Sequence, residues 1–224
     1  TKKFGFASQF IKNTLQINNC DGSFSDIGMM TGMAHTDWSW SVLMADYNND
    51  GRKDVFVTNG FRRSTTDNDY VRYTQDSIFK VTPKNELNFA KFMGSIPVHK
   101  TKSYFFMNKG NLNFADVSKV WDPSPAEFSN GAAYADLDND GYLDLVINNI
   151  DATPFILKNN GAQSRKNNFV RFDLKNESGK SAYGAKVEII DNNDNLQVFH
   201  FEITSQSRHS NSTDSDKINV LICF

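Results

Sequence analysis

Two nine-residue segments constrain this chain more than anything else in it. Asp46-Tyr47-Asn48-Asn49-Asp50-Gly51-Arg52-Lys53-Asp54 and Asp136-Leu137-Asp138-Asn139-Asp140-Gly141-Tyr142-Leu143-Asp144 both follow D-x-[DN]-x-D-G-x-x-D. They belong to a longer repeat, since residues 18–60 superpose on 108–150 at a constant offset of 90 without a gap. Phe24 falls on Phe114, Asp26 on Asp116 and Gly51 on Gly141. A third start comes at Ile156, where ILKNNG echoes FFMNKG beginning at Phe105, an offset of only 51. The natural unit is therefore about 50 residues. The first copy carries an insertion of about 40 residues between Phe61 and Lys102.

Short apolar runs flank each segment: Val42-Leu43-Met44-Ala45 and Val55-Phe56-Val57, then Ala132-Ala133-Tyr134-Ala135 and Leu145-Val146-Ile147. Bounded by Asn, Asp and Gly, they read as strands rather than helices. Aspartate outnumbers glutamate 21 to 5, and asparagine reaches 26. Both residues compete with helical backbone and settle in turns, so composition points the same way. The 19 Phe, 7 Tyr and 3 Trp supply the apolar surface that a folded core needs.

A unit of about 50 residues with room for four strands is the size of one β-propeller blade. A β-solenoid, whose repeats are usually shorter, is the competing architecture. The expected fold is mostly β: a partial β-propeller of about two blades plus part of a third over residues 1–160, with a helical insertion at 61–103. A small β-rich domain follows at 167–224, with Asp191-Asn192-Asn193-Asp194-Asn195 as a hairpin turn. A closed propeller needs about four blades or more. The chain is therefore expected to be part of a longer protein, with blade edges prone to aggregate in isolation.

The insertion is locally basic within a chain of net charge -2. Asp67 or Asp69 is expected to cap a helix through Lys80, Pro83 to interrupt it, and Asn85 to cap a second through Met93. Two readings stand side by side. One is a lid or recognition loop, since binding residues concentrate on long insertions. The other is a helical clasp against the propeller rim.

The Asp-rich segments carry the chemistry. Calcium takes six to eight oxygens at about 2.3–2.6 Å. Oxygen-bearing side chains at positions 1, 3 and 5 converge when the backbone curls, and glycine at position 6 permits that curl. The expected ligands are Asp46, Asn48, Asp50, the Arg52 carbonyl and Asp54 in one site. In the other they are Asp136, Asp138, Asp140, the Tyr142 carbonyl and Asp144. An EF-hand would need Glu at position 12, where Val57 and Ile147 stand inside expected strands. These are hairpin loops, not EF-hands. Asp, Asn and Gly also make good turns without any ion, but four carboxylates in the second loop repel one another unless a cation neutralises them. Magnesium, with its stricter octahedron, is the second choice. Asn48 leaves the first site one negative charge short, so it is expected to bind calcium more weakly. Calcium is expected to be structural, tying two strands together.

The near-neutral charge argues against nucleic acid as a partner, and no apolar run approaches the ~20 residues of a membrane span. Cys20 and Cys223 stand at opposite ends of the chain. They form no disulfide framework or zinc spacing, and a bridge between them is not expected. The chain opens on Thr1, which leaves room for a removed signal or an upstream segment.

Strand–DxDxDGxxD–strand units with an Asn-Asn-Gly-Asp-Gly-x-Phe lead-in resemble FG-GAP/VCBS repeats, the blades of integrin-α-like propellers. Here the lead-in is Asn18-Asn19-Cys20-Asp21-Gly22-Ser23-Phe24, with Cys20 where glycine is usual, which suggests a buried or incidental thiol. The remainder is similar to the ASPIC/UnbV domain that follows such repeats in bacterial proteins of the cartilage acidic protein family. Asn168-Phe169-Val170-Arg171-Phe172-Asp173-Leu174 and Ser181-Ala182-Tyr183-Gly184-Ala185-Lys186-Val187-Glu188-Ile189 carry that resemblance, and Ser205-Gln206 matches a later part of it. The family's closing His-Phe-Gly-Leu-Gly is absent. Ser210-Asn211-Ser212-Thr213-Asp214-Ser215-Asp216 and an ending of Val220-Leu221-Ile222-Cys223-Phe224 replace it.

The reading that follows is a calcium-binding, non-catalytic module for protein or glycan binding, extracellular or at the cell surface. The resemblance implies a bacterial outer surface. One alternative is a polysaccharide-acting enzyme using His35, Asp37, His99 and Glu127 near Trp38, Trp40 and Trp121. Yet no GxSxG, HExxH or P-loop is present. Of Trp38 and Trp40, one is expected to face the core and the other to be free to stack on a sugar. The last alternative is a purely structural segment of a larger surface protein.

Overall fold

The computed structural model describes residues 12–63, 72, 94, 96–164, 169–173, 178, 189–190, 196–197 and 219–223. In chain order the strands are β1 (Gln16–Asn18), β2 (Phe24–Asp26), β3 (Ser39–Ala45), β4 (Asp54–Asn59), β5 (Tyr104–Asn108) and β6 (Phe114–Asp116). Then come β7 (Phe128–Ala135), β8 (Asp144–Ile150), β9 (Phe155–Leu157), β10 (Phe169–Asp173), β11 (Ile189–Ile190), β12 (Leu196–Gln197) and β13 (Asn219–Cys223). Single helical turns stand at Ser118–Trp121 and Gly161–Ser164. The described chain is mostly β with almost no helix, and none of its helices is long and apolar enough to cross a membrane.

Strands β3, β4, β5 and β6 form one sheet in chain order, and β7, β8 and β9 form another. Eight residues join β3 to β4, too few for a parallel crossover, so the pair is a hairpin. Strands β4 and β5 pair antiparallel with Val55 opposite Phe106, and β5 pairs with β6 with Phe106 opposite Asp116. Strands β1 and β2 make a separate hairpin. The 90-residue offset holds here: β1 to β4 recur as β5 to β8. The sequence unit and the sheet are nevertheless out of phase. β5 and β6 open the second copy but complete the sheet that β3 and β4 of the first copy begin.

The chain divides into two compact units, interleaved in sequence. One holds Thr1–Leu43, Val55–Ala132 and Ile147–Phe155; the other holds Met44–Asp54, Ala133–Val146 and Ile156–Phe224. The core of the first unit is built on β4, a β-branched and aromatic strand buried along its length, as befits an interior strand covered on both faces. Val55 and Val57 pack with Met33 and Phe106 on one face. Phe56, fully buried, meets Phe105 at 4.5 Å on the other. Gly60 follows at φ 137, and a Cβ there would stand 2.6 Å from the Phe128 Cα. Only glycine allows that approach.

The structure departs from expectation at several places. Neither Trp38 nor Trp40 is buried: they are 37% and 48% exposed. Among the described residues β3 is an edge strand, and its row of Trp40, Val42 and Met44 is exposed, while Trp38 stacks on Phe61 at 4.4 Å. Cys20 is exposed and free rather than buried, and its φ of 62 explains why glycine suits that position. The helices expected within 61–103 lie, apart from Arg72 and Gly94, outside the described residues. The ends of that insertion are tied together, since the Arg63 guanidinium donates to the carbonyls of Gly94 and Ile96 at 3.1 and 2.9 Å. Near the C-terminus, Ile189 and Ile190 pair with Gln197 and Leu196 on either side of the expected turn. The turn itself lies outside the described residues, as do Ser205-Gln206 and residues 210–216. The unusual ending forms β13, antiparallel to β10.

Candidate metal centre

Each Asp-rich segment leaves its sheet at the end of one strand and re-enters it at the start of the next, and the two loops share one set of bonds from backbone amides to side-chain oxygens. At position 1, Asp46 accepts the amides of Asp50 and Gly51 at 3.1 and 2.7 Å. Asp136 likewise accepts those of Asp140 and Gly141 at 3.0 and 3.2 Å. At position 3, Asn48 and Asp138 accept the same position-5 amides at 3.1 and 3.3 Å. At position 5, Asp50 and Asp140 each accept the amide of position 7 at 2.9 Å, from Arg52 and Tyr142. The curl needs positive φ twice: at position 6, where Gly51 and Gly141 sit at 82° and 88°, and at position 4, where Asn49 and Asn139 sit at 55° and 61°. Asparagine tolerates that region better than most residues with a side chain.

In the second loop the result is a cluster. One oxygen from each of Asp136, Asp138 and Asp140 lies within 4.8 Å of the others. Asp144 stands outside this group and is buried. Its oxygens accept the amides of Leu137 at 3.0 Å and Asn159 at 2.7 Å. Asp54 does the corresponding work in the first loop, accepting the Tyr47 amide at 3.1 Å. The position-9 aspartate thus clamps the loop to its own first turn, a role that spacing alone did not reveal.

Charge is concentrated as the donor set requires. Burial raises the Asp140 carboxyl above its ordinary value, and the charges of Asp138, Asp136 and Asp144 add to this against the bond from Tyr142. Burial also raises Asp46, with the charge of Asp50 adding, against bonds from the amides of Gly51 and Asp50. Asp138 is held low by its hydrogen bond from Lys158. In the first loop the Arg52 guanidinium pairs with Asp50 at 2.7 Å. An all-oxygen set of converging carboxylates, with one carboxyl in each loop raised by burial and like charge, suits a hard divalent cation.

Among the residues weighed for catalysis, Asp37 is exposed and sits at a φ of 65. His35 and His99 are exposed, Glu127 pairs with Lys100 at 2.8 Å, and Trp121 meets Phe105 edge-on at 5.7 Å.

Comparison with known proteins agrees with the repeat. The family described as FG-GAP-like repeat matches residues 7–57 and 95–147, just under half of the chain. The chain is also 27% identical over 200 residues to cartilage acidic protein 1 of Xenopus tropicalis, covering 78% of itself and 31% of that protein. It thus spans about a third of the length of that relative. Each matched segment contains one Asp-rich loop and ends on the strand that follows it, and together these likenesses support the FG-GAP family for this chain.

Proposed function

We propose that this chain is a calcium-stabilised, non-catalytic binding module that acts outside the cell on a protein or glycan. The observation that carries the reading is the convergence of the Asp136, Asp138 and Asp140 carboxylates, on a loop whose fold is repeated around Asp46, Asn48 and Asp50. Asp136, Asp138 and Asp140 would hold the ion, with Asp144 and the Tyr142 carbonyl beside them. Asp46, Asn48, Asp50, Arg52 through its carbonyl, and Asp54 form the first, weaker site. The ion would cancel like-charge repulsion and lock each hairpin. Residues 1–160 then serve as propeller blades, and 167–224 as an ASPIC/UnbV-like domain. The extracellular setting is supported by the repeat family and by a relative named for cartilage. That relative is a frog protein, and nothing now favours a bacterial surface.

Calorimetric titration with calcium tests the reading on the wild type and on Asp50→Ala and Asp140→Ala separately. Two binding events are expected in the wild type. The affinity left in Asp50→Ala, which reports the second loop, should exceed that left in Asp140→Ala. Equal residual affinities would remove the argument from Asn48, and an absence of binding at millimolar calcium would remove the metal centre altogether.

A further inference from the structure

The two Asp-rich loops lie in the same compact unit, and two asparagines join them. Asn49, in the first loop, is fully buried. Its side-chain amide donates to the Gly141 carbonyl in the second loop at 3.0 Å. The peptide that carries this carbonyl ends in the Tyr142 amide, which donates to Asp140, so the Asn49 side chain bears on the peptide that holds the second loop's position-5 carboxylate. Asn139, the counterpart of Asn49, is exposed.

Asn159 makes the second bridge. Its side-chain amide donates to the Tyr47 carbonyl at 2.7 Å and to the Leu143 carbonyl at 3.2 Å, one from each loop. Its backbone amide donates to Asp144 at 2.7 Å. Because the Tyr47 amide is held by Asp54, an unbroken run of bonds leads from Asp54 through Tyr47 and Asn159 to Asp144. The rings of Tyr47 and Tyr134 meet edge-on at 6.3 Å beside it.

We infer that Asn49 and Asn159 are positioning residues that couple the two loops, so that a cation in either one tightens binding in the other. This rests on the calcium reading above. The physical reason is shared ordering. Closing the first loop fixes Asn49 at positive φ and the Tyr47 carbonyl in place, so the second loop then meets its partners already set. Repulsion between two cations acts in the opposite sense. Buried hydrogen bonds that are lost when either loop opens outweigh it, because unmade buried bonds are expensive.

The test is a mutant cycle on the full chain, read by calcium calorimetry and by terbium luminescence, with folding followed by circular dichroism. Asp50→Ala empties the first loop, and the calcium affinity of the second should then fall by about fivefold or more relative to wild type. Asn49→Gly removes the bridging side chain while keeping a residue at home at positive φ. In that background Asp50→Ala should lower the second loop's affinity by a smaller factor than it does in wild type, because only the Asn159 bridge remains. Asn159→Ala provides the same comparison should Asn49→Gly fail to fold. A second loop whose affinity is the same, or higher, after Asp50→Ala alone would overturn the coupling while leaving the calcium reading intact. Absence of calcium binding by the wild type overturns both.

Discussion

Lys158 occupies the position of a built-in competitor. Its ammonium pairs with Asp138, and that bond holds the Asp138 carboxyl below, and the Lys158 ammonium above, their ordinary values. A cation entering the second loop must displace it or share the carboxylate. Lys158→Met should therefore raise calcium affinity at that loop by about two- to fivefold, as befits an exposed pair, and calorimetry of the two proteins would read it. Weaker binding by the variant would show that the ammonium supports the site. Nothing in the nine-residue pattern announces Lys158 or Asn159, because they lie beyond it and are brought to it only after β9 ends. The carboxylates themselves were legible, since an oxygen at every second position before a glycine is a local instruction. The role of position 4 was not: an asparagine among other Asp and Asn residues reads as one more turn residue, and only the fold distinguishes buried Asn49 from exposed Asn139.

Among the elements, the approach of Gly60 to β7 is the least forgiving. A Cβ would meet the Phe128 Cα at 2.6 Å and the Ser129 amide nitrogen at 2.9 Å, and backbone cannot swing aside as a side-chain tip can. Gly60→Ala should destabilise the fold by about 1–3 kcal/mol or more, measurable as a lowered urea midpoint. A midpoint unchanged from wild type would mean that β7 shifts freely. Strand positions were readable from short β-branched and aromatic runs, and the 90-residue offset from repeated Phe, Asp and Gly. Which strands share a sheet was not, because hydrogen-bond partners lie across the repeat boundary. The exposure of Trp40, Val42 and Met44 was hidden for a related reason. Alternation assigns residues to faces without saying whether a face is covered, and β3 stands at the edge of its sheet.

For the whole molecule, the metal reading has a thermodynamic consequence. Any ligand that binds the folded state alone stabilises it by mass action, about 2.7 kcal/mol at a hundredfold excess over Kd. For a chain of this size that is ~5–10 °C in Tm. Melting in saturating calcium should therefore exceed melting in chelator by that amount, and identical curves would deny calcium a structural role. The phase difference between copy and sheet also bears on how such a protein lengthens or is trimmed. Excising one copy at its own borders would tear two sheets and leave halves without mates. A cut between β2 and β3, or between β6 and β7, would release each ribbon whole. Gene duplication faces the reverse situation: a new copy inserted at either border supplies the half that each neighbour lacks, so growth by tandem addition heals its own seams.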